Sequence, residues 1–531
     1  MGDILKAPIP DLLNAGVVQL QAGLDGGLFT SLELVRAYLA RIDEVNTKGP
    51  SLRAVLEVNP KATKIAEACD EERKTKGKRS LLHGIPVLLK DNIATISSEG
   101  MNTTAGSYAL LDSVVPDDAG IVKRLRDAGA IILGKTNMSE LAHFRGNVPC
   151  GWSARGGQCT SAYHPQGDPC GSSSGSGVAT SIGLATVTIG TETDGSICFP
   201  SSNNNVVGIK PTVGLTSRAG VIPIPSSQDT VGPMTRTVED AAITLSIIAG
   251  EDENDNRSLA QPRPVPNYTQ ALKRNALQGK RIGVPRMNIT RGHYVHDPYL
   301  WVSFNEALRT IEDLGATVVD PADLPSAEEI GSGENIILKI DFKIEFNRYL
   351  EWLEDVPTGV RTLTDLIKFN NEHKDLELPE HYDDQSRLIA SDASSGRGPE
   401  WAKALALNME QGATRGIDAV MKEHNLDALV LPACDTSTPA ALAGYPIITV
   451  PLDFYPDDTT ITKSGPKTVY PAPGLPFGLN FVGTAFSEYD LIGFAYAFEQ
   501  KTKARLRRTP FPGAIPKTQL KDIPRMNTDK T

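Results

Sequence analysis

Leu34, Tyr38, Ile42 and Val45 recur at the spacing of one helical face, and Thr30 with Glu33 forms a capping box directly ahead of them. The N-terminal region, residues 1–80, therefore reads as helical. From about residue 81 the pattern changes to short apolar runs separated by amphipathic segments. Ile85 to Leu89 reads as a strand ending at Lys90, Ala130 to Leu133 as a second and Val187 to Ile189 as a third. Between the first two, Ile121, Val122 and Leu125 mark a helix that Asp118 is placed to cap and Gly129 to end. A further helix follows Gly177, and another runs from Val238 to Ala249 with Gly250 as its stop. This alternation predicts an α/β fold: a central mixed, largely parallel twisted sheet covered on both faces by helices.

After residue 250 the chain becomes rich in acids and prolines up to Asn267, then carries a helix over Leu300 to Leu314 that Gly315 ends. Strand-like runs return at Ala428 to Leu431, Tyr445 to Val450 and Phe477 to Val482. The expected organisation is a core over 81–250, a partly helical insertion over 251–420, a return to the core sheet over 421–510 and a tail over 511–531. All of it is expected to form one structural domain, without internal repeats.

At 531 residues the chain exceeds the roughly 250–300 at which single cores stop growing, so an elaborate domain or interleaved lobes are expected. The net charge of −11 opposes a phosphate backbone, which argues against a nucleic-acid partner. No apolar stretch approaches the roughly 18 residues of a membrane helix, and the first 30 residues lack a basic region followed by a hydrophobic run. A cytoplasmic protein without membrane contact is the expectation. Cys69, Cys150, Cys159, Cys170, Cys198 and Cys434 form no CxxC pair and none sits beside a histidine at zinc spacing. They read as free thiols in a reducing compartment. No metal site and no cofactor are expected, since no dinucleotide fingerprint follows a strand either.

The candidate chemistry lies in two hydroxyl-rich turns. Cys170-Gly171-Ser172-Ser173-Ser174-Gly175-Ser176-Gly177 combines glycine's backbone freedom with hydroxyls just before a helix, whose N-terminal amides suit an anion or oxyanion. Gly190-Thr191-Glu192-Thr193-Asp194-Gly195-Ser196-Ile197 directly follows a strand, where ligand sites of open α/β sheets gather. A serine is a poor nucleophile until a base takes its proton. None of the eight histidines is an obvious candidate; His83, before the Gly84-Ile85-Pro86 turn, reads as structural. Lysine can serve if burial disfavours its charge. Lys90, preceded by Ile85, Val87, Leu88 and Leu89, suits that role, although a lone lysine is more commonly a solvated charge or a partner of something like Asp91.

Lys90 in HGIPVLLKDN, the loop GSSSGSG, and GTETDGSICFP followed by GIKPTVGLTSR resemble the amidase signature family. Support extends through Gly134 to Met138 and Ser227 to Pro233, and the motifs ETDGSI and SQDTVGPMTRTVEDAA are most similar to a branch of peptide amidases and related stand-alone amidases. The resemblance implies the amidase signature fold and hydrolysis of a carboxylic amide by a Ser-cisSer-Lys triad. Ser196 matches the nucleophile, Ser172 the bridging serine and Lys90 the base. The backbone N–H groups of Thr193, Asp194, Gly195 and Ser196 match the oxyanion hole. Ser173 and Met138 are candidate substrate contacts, and Asp229 is a candidate support for the loop. The insertion over 251–420 would shape the substrate channel. The implied partner is a small-molecule or peptide amide, with the protein a monomer or homodimer. The chain departs from the family at Asp194 and Asn205, where many members carry glycine, and at Cys198, where many carry arginine; Cys198 reads as packed near the site rather than as a nucleophile.

Three other readings compete. Gly171-Ser172-Ser173-Ser174-Gly175 also fits GxSxG, which would make Ser173 the nucleophile of a serine hydrolase but leaves Lys90 and Ser196 unexplained. The chain also fits the amidase subunit of a tRNA-dependent amidotransferase, or a binding protein on the same scaffold. The latter would be favoured by loss of Lys90, Ser172 or Ser196, and all three are present.

Overall fold

The structure is a computed structural model that describes residues 9–290, 297–433 and 436–525. Cys434 lies outside the described residues. The Thr30 capping box forms as expected: Thr30 Oγ1 accepts from the Glu33 N–H (3.1 Å) and Glu33 Oε2 accepts from the Thr30 N–H (2.8 Å), opening the helix Ser31–Val45.

Two expectations are corrected. Asp118 does not cap the helix Gly120–Asp127; Ala119 stands at the cap. The Asp118 carboxylate accepts from the Ile96 N–H (2.9 Å) and pairs with Arg126 Nε (2.8 Å), because a guanidinium in reach binds a carboxylate more strongly than a helix amide does. The helix expected after Gly177 begins earlier, spanning Ser174–Ser181. Its glycines serve close packing: a Cβ on Gly175 would lie 2.1 Å from the Ala54 carbonyl, and one on Gly177 2.9 Å from that of Pro200.

Among the described residues thirteen strands form: β1 (Val55–Val58), β2 (Pro86–Lys90), β3 (Ile131–Thr136), β4 (Trp152–Ser153), β5 (Gly157–Gln158), β6 (Val187–Glu192), β7 (Val207–Lys210), β8 (Thr230–Thr235), β9 (Arg281–Gly283), β10 (Thr317–Val319), β11 (Ala428–Pro432), β12 (Ile447–Phe454) and β13 (Pro476–Val482). β4 and β5 pair with each other, and the remaining eleven form one sheet in the order β1-β3-β2-β6-β8-β7-β12-β13-β11-β9-β10. The sheet is mixed. Pairing is parallel on its flanks, in β3-β2-β6 and β11-β9-β10, and antiparallel from β6 to β11 and between β1 and β3.

Every residue of β2, β3, β6, β7, β8 and β11 is buried, as in a sheet covered on both faces by helices. The short apolar runs in the sequence have this cause. The strands β9 and β10 extend the sheet from within 251–420; at three residues each they are too short to leave a periodic signature. His83 is buried, with Nε2 3.0 Å from the Cys69 carbonyl oxygen, in keeping with a structural role. Among the described residues no helix is long and apolar enough to cross a membrane.

At the middle of the sheet Gly232 lets β8 lie against β7, where an added Cβ would stand 1.9 Å from the Ile209 carbonyl oxygen. Gly232→Ala is expected to lower the unfolding free energy by about 1–3 kcal/mol. Urea denaturation checks this, and wild-type stability would mean that the two strands part at little cost.

Candidate active site

Lys90 is the last residue of β2, and Thr191 and Glu192 end its parallel neighbour β6, with Leu89 opposite Ile189. The two strand ends share one edge of the sheet, the place where α/β folds gather functional groups. Strand alternation turns Asp91 away from Lys90. The Asp91 carboxylate accepts from Thr104 Oγ1 (2.5 Å) and the Gly106 N–H (2.9 Å), so the alternative of a Lys90–Asp91 ion pair is not realised.

Lys90 is fully buried, and its Nζ donates to Ser172 Oγ at 2.8 Å and to the Thr191 carbonyl at 2.9 Å. Burial lowers its pKa well below the usual lysine range, while the negative charges of Glu192 and Asp229 oppose that fall without reversing it. Ser172 follows a cis Gly171–Ser172 peptide bond and is itself fully buried; its carbonyl accepts from the Ser139 N–H (3.1 Å). The Ser173 N–H donates to the Ser196 carbonyl (3.1 Å), which brings the two hydroxyl-bearing turns together, and Ser196 is 8% exposed.

Ser173 has another task. Its hydroxyl donates to the Thr191 carbonyl (3.1 Å) and accepts from the Thr191 N–H (3.3 Å), buried against β6. A serine held in this way is poorly placed to attack as an elbow nucleophile. Met138 is fully buried in the main core, so its side chain offers no surface to a substrate in this conformation.

The turn after β6 is organised by Glu192, which sequence reasoning did not single out. Its carboxylate accepts from the N–H groups of Gly195 (2.9 Å), Ile197 (2.6 Å) and Cys198 (2.8 Å). The available signal was an acid at a strand end followed by a glycine turn, and Gly195 does take the left-handed φ of 83°. The Gly195 N–H, one of the four expected oxyanion donors, is thereby committed. The N–H groups of Thr193, Asp194 and Ser196 have no acceptor among the described residues. Thr193 and Asp194 are partly exposed, so these donors are open to water or to a bound acceptor.

Asp194 turns its carboxylate out of the turn, where it accepts from Ser437 Oγ and, at 2.8 Å, from Thr438 Oγ1; burial raises its pKa. Asp229 accepts from Thr193 Oγ1 (2.6 Å) and from the Ile224 N–H (2.7 Å), and burial pushes its pKa up to about 6. Cys198 is fully buried, and Asn205 adopts the left-handed φ of 58° that its side chain tolerates. A cavity of about 690 Å³ opens beside Thr191, Thr193 and Asp229, with Arg218, Glu345 and Arg348 on its walls.

Residues 33–440 match the family model described as Amidase. The chain belongs to the amidase signature family. A putative amidase of Arthroderma benhamiae is 41% identical, over 97% of this chain and 90% of its own length. The crystal structure of the native peptide amidase from Stenotrophomonas maltophilia aligns with a TM-score of 0.84 at 44% identity, covering 94% of this chain and 98% of that one. A glutamyl-tRNA(Gln) amidotransferase subunit of Myxococcus xanthus is more distant at 34%, covering 94% and 99%. As a member of this family the protein is an amide hydrolase.

In this amidase Glu192→Ala leaves three amides of the turn without their acceptor, a loss of about 1–3 kcal/mol for a buried donor. Misplacement of the turn is expected to cost roughly tenfold to a hundredfold in kcat/KM. Amide turnover measured alongside thermal unfolding checks both, and unchanged turnover would separate Glu192 from the function of the turn.

Proposed function

We propose that this amidase hydrolyses a carboxylic amide of a polar, peptide-like substrate through a Ser-cisSer-Lys relay and an acyl-enzyme. Lys90 in its neutral form draws a proton from Ser172, Ser172 draws one from Ser196, and Ser196 Oγ attacks the amide carbonyl. The proton returns along the same path to the departing amine or ammonia. Water then enters and releases the carboxylate by the reverse path.

The observation that carries this proposal is the 2.8 Å hydrogen bond from a fully buried lysine to Ser172. A lysine whose charge is disfavoured by desolvation is a base rather than an ion-pair partner. The unpaired amides of Thr193, Asp194 and Ser196 are the proposed oxyanion donors, each such group contributing roughly 3–4 kcal/mol in well-studied enzymes. Gly195 shapes the turn through Glu192, and Asp229 holds Thr193 in place.

Similarity to a peptide amidase favours peptide amides, and the charged cavity wall of Arg218, Glu345 and Arg348 suits a polar acyl part better than a fatty one. Glu345 and Arg348 lie on the helix Glu334–Trp352, so the region over 251–420 is proposed to form the channel wall. Ammonia or amine release from a panel of peptide, aryl and fatty amides tests the assignment. Turnover of peptide amides by the wild type, lost by about a thousandfold or more in Ser196→Ala and Lys90→Ala, is the expected result. Turnover that survives Ser196→Ala and disappears in Ser173→Ala would overturn it. Activity only with co-purified partner subunits would point to an amidotransferase.

The pH profile supplies a separate test. Since neutral Lys90 is the active form, kcat/KM should rise with pH through the pKa of Lys90 and fall below it. Asp229 is one of two negative charges that raise that pKa. Asp229→Asn is therefore expected to move the acid limb to lower pH, and a limb displaced upward or left in place would remove Lys90 from the relay.

A further inference from the structure

Two thiols border the loop that carries Ser172. Cys170 immediately precedes Gly171 and Ser172, and Cys150 lies in a segment that Ser139 ties to the same loop. Ser139 Oγ accepts from the Gly151 N–H (2.9 Å), the Ser139 N–H donates to the Ser172 carbonyl (3.1 Å), and a Cβ on Gly171 would come within 2.2 Å of Ser139 Oγ. Cys150 Sγ stands 3.5 Å from His143 Nδ1. Both cysteines are partly exposed, whereas Cys69, Cys159 and Cys198 are buried.

The neighbouring Cys170 thiol, foremost, together with burial, keeps the proton on Cys150. The His143 imidazole beside it has its pKa pushed down to about 4 by burial and by Arg387, so it faces the thiol uncharged. Cys170 also occupies φ 57°, a left-handed conformation that glycine would adopt more easily. The backbone alone does not account for a cysteine there.

We propose that Cys150 and Cys170 are a redox pair that hydrogen peroxide oxidises to a disulfide, and that this bond displaces Ser172 and silences the amidase. In the first step the Cys170 sulfur attacks the peroxide oxygen, the O–O bond breaks, Cys170 becomes a sulfenic acid and one water leaves. In the second step the Cys150 sulfur attacks the sulfenic sulfur, the S–S bond forms and the S–O bond breaks. The departing hydroxide takes the Cys150 proton and leaves as water. Two thiols are oxidised by two electrons and one peroxide is reduced to two waters. The disulfide pulls on the backbone at Cys170, two residues before Ser172, where small displacements of a catalytic group cost large factors in rate.

The test treats the full-length protein with hydrogen peroxide and follows mass, disulfide-linked peptides and amide turnover together. The expected result is loss of two hydrogen atoms in mass, a Cys150–Cys170 linked peptide, and turnover that falls by about tenfold or more and returns with dithiothreitol. Cys150→Ser, with Cys150→Ala as a second variant, should keep basal turnover, form no link, and lose activity irreversibly as Cys170 runs on to the sulfinic acid. Both thiols remaining free, a link to Cys159 or Cys198 instead, or full activity in the linked protein would each overturn the proposal. The link is read by mass whichever residue proves to be the nucleophile, so failure of the serine assignment leaves this test intact.

Discussion

Removing an ammonium group from water costs several kcal/mol even after local relaxation, and a protein that buries one must either pair it or let it lose its proton. Lys90 sits at that branch point. Its two hydrogen-bond acceptors, Ser172 Oγ and the Thr191 carbonyl, are both neutral. The nearby carboxylates are engaged elsewhere: Asp91 with Thr104 and Gly106, Glu192 with three backbone amides, Asp229 with Thr193 and Ile224. Glu192 and Asp229 are near enough to oppose the loss of charge but do not bond to the lysine. The acids near Lys90 thus stabilise the turns and form no ion pair with its amine.

Burial by itself does not single out this lysine. Lys135 is also fully buried, with its pKa lowered to about 8, and its Nζ donates to the Ile93 carbonyl (2.6 Å) and Thr103 Oγ1 (3.0 Å). Lys210 is buried as well and donates to the Tyr445 carbonyl, 235 residues away, and to that of Pro211 (3.4 Å). Both tie backbone segments together. What sets Lys90 apart is the identity of its partner, a serine on a loop that a second serine-bearing turn touches through the Ser173–Ser196 backbone hydrogen bond.

The same economy appears in the supporting loops. Ser173 and Ser172 are adjacent and chemically identical, yet Ser173 is bonded on both sides to Thr191 while Ser172 faces the lysine. Glycines at 175 and 177 let the helix behind them approach Ala54 and Pro200, which holds the loop against the sheet. Asp194 occupies a position where the family often has glycine, and its carboxylate is accommodated by two hydroxyls, Ser437 and Thr438, from the returning C-terminal part of the chain.

The amino-acid pattern alone determined the fold class, six of the strands, the helices near Ser31–Val45, Val238–Ile248 and Pro298–Asp313, the Thr30 capping box and the family, because each of these rests on local periodicity or on motifs contiguous in sequence, while β8 and the helices Ala62–Lys76, Glu334–Trp352 and Glu488–Thr502 were not read from it. It also brought Lys90, Ser172 and Ser196 forward as candidates. The tertiary structure decided what lies between distant segments. It directs Asp118 to Arg126 and away from its helix, adds β9 and β10 to the sheet, withdraws Ser173 and Met138 into the interior, and gives Glu192 the task of holding the turn. Such outcomes depend on which donor meets which acceptor once the chain has folded, even between near neighbours such as Glu192 and Gly195, and on desolvation by neighbours that only folding assembles. For that reason Lys90 could be nominated from its motif, while the lowering of its pKa belongs to the folded chain.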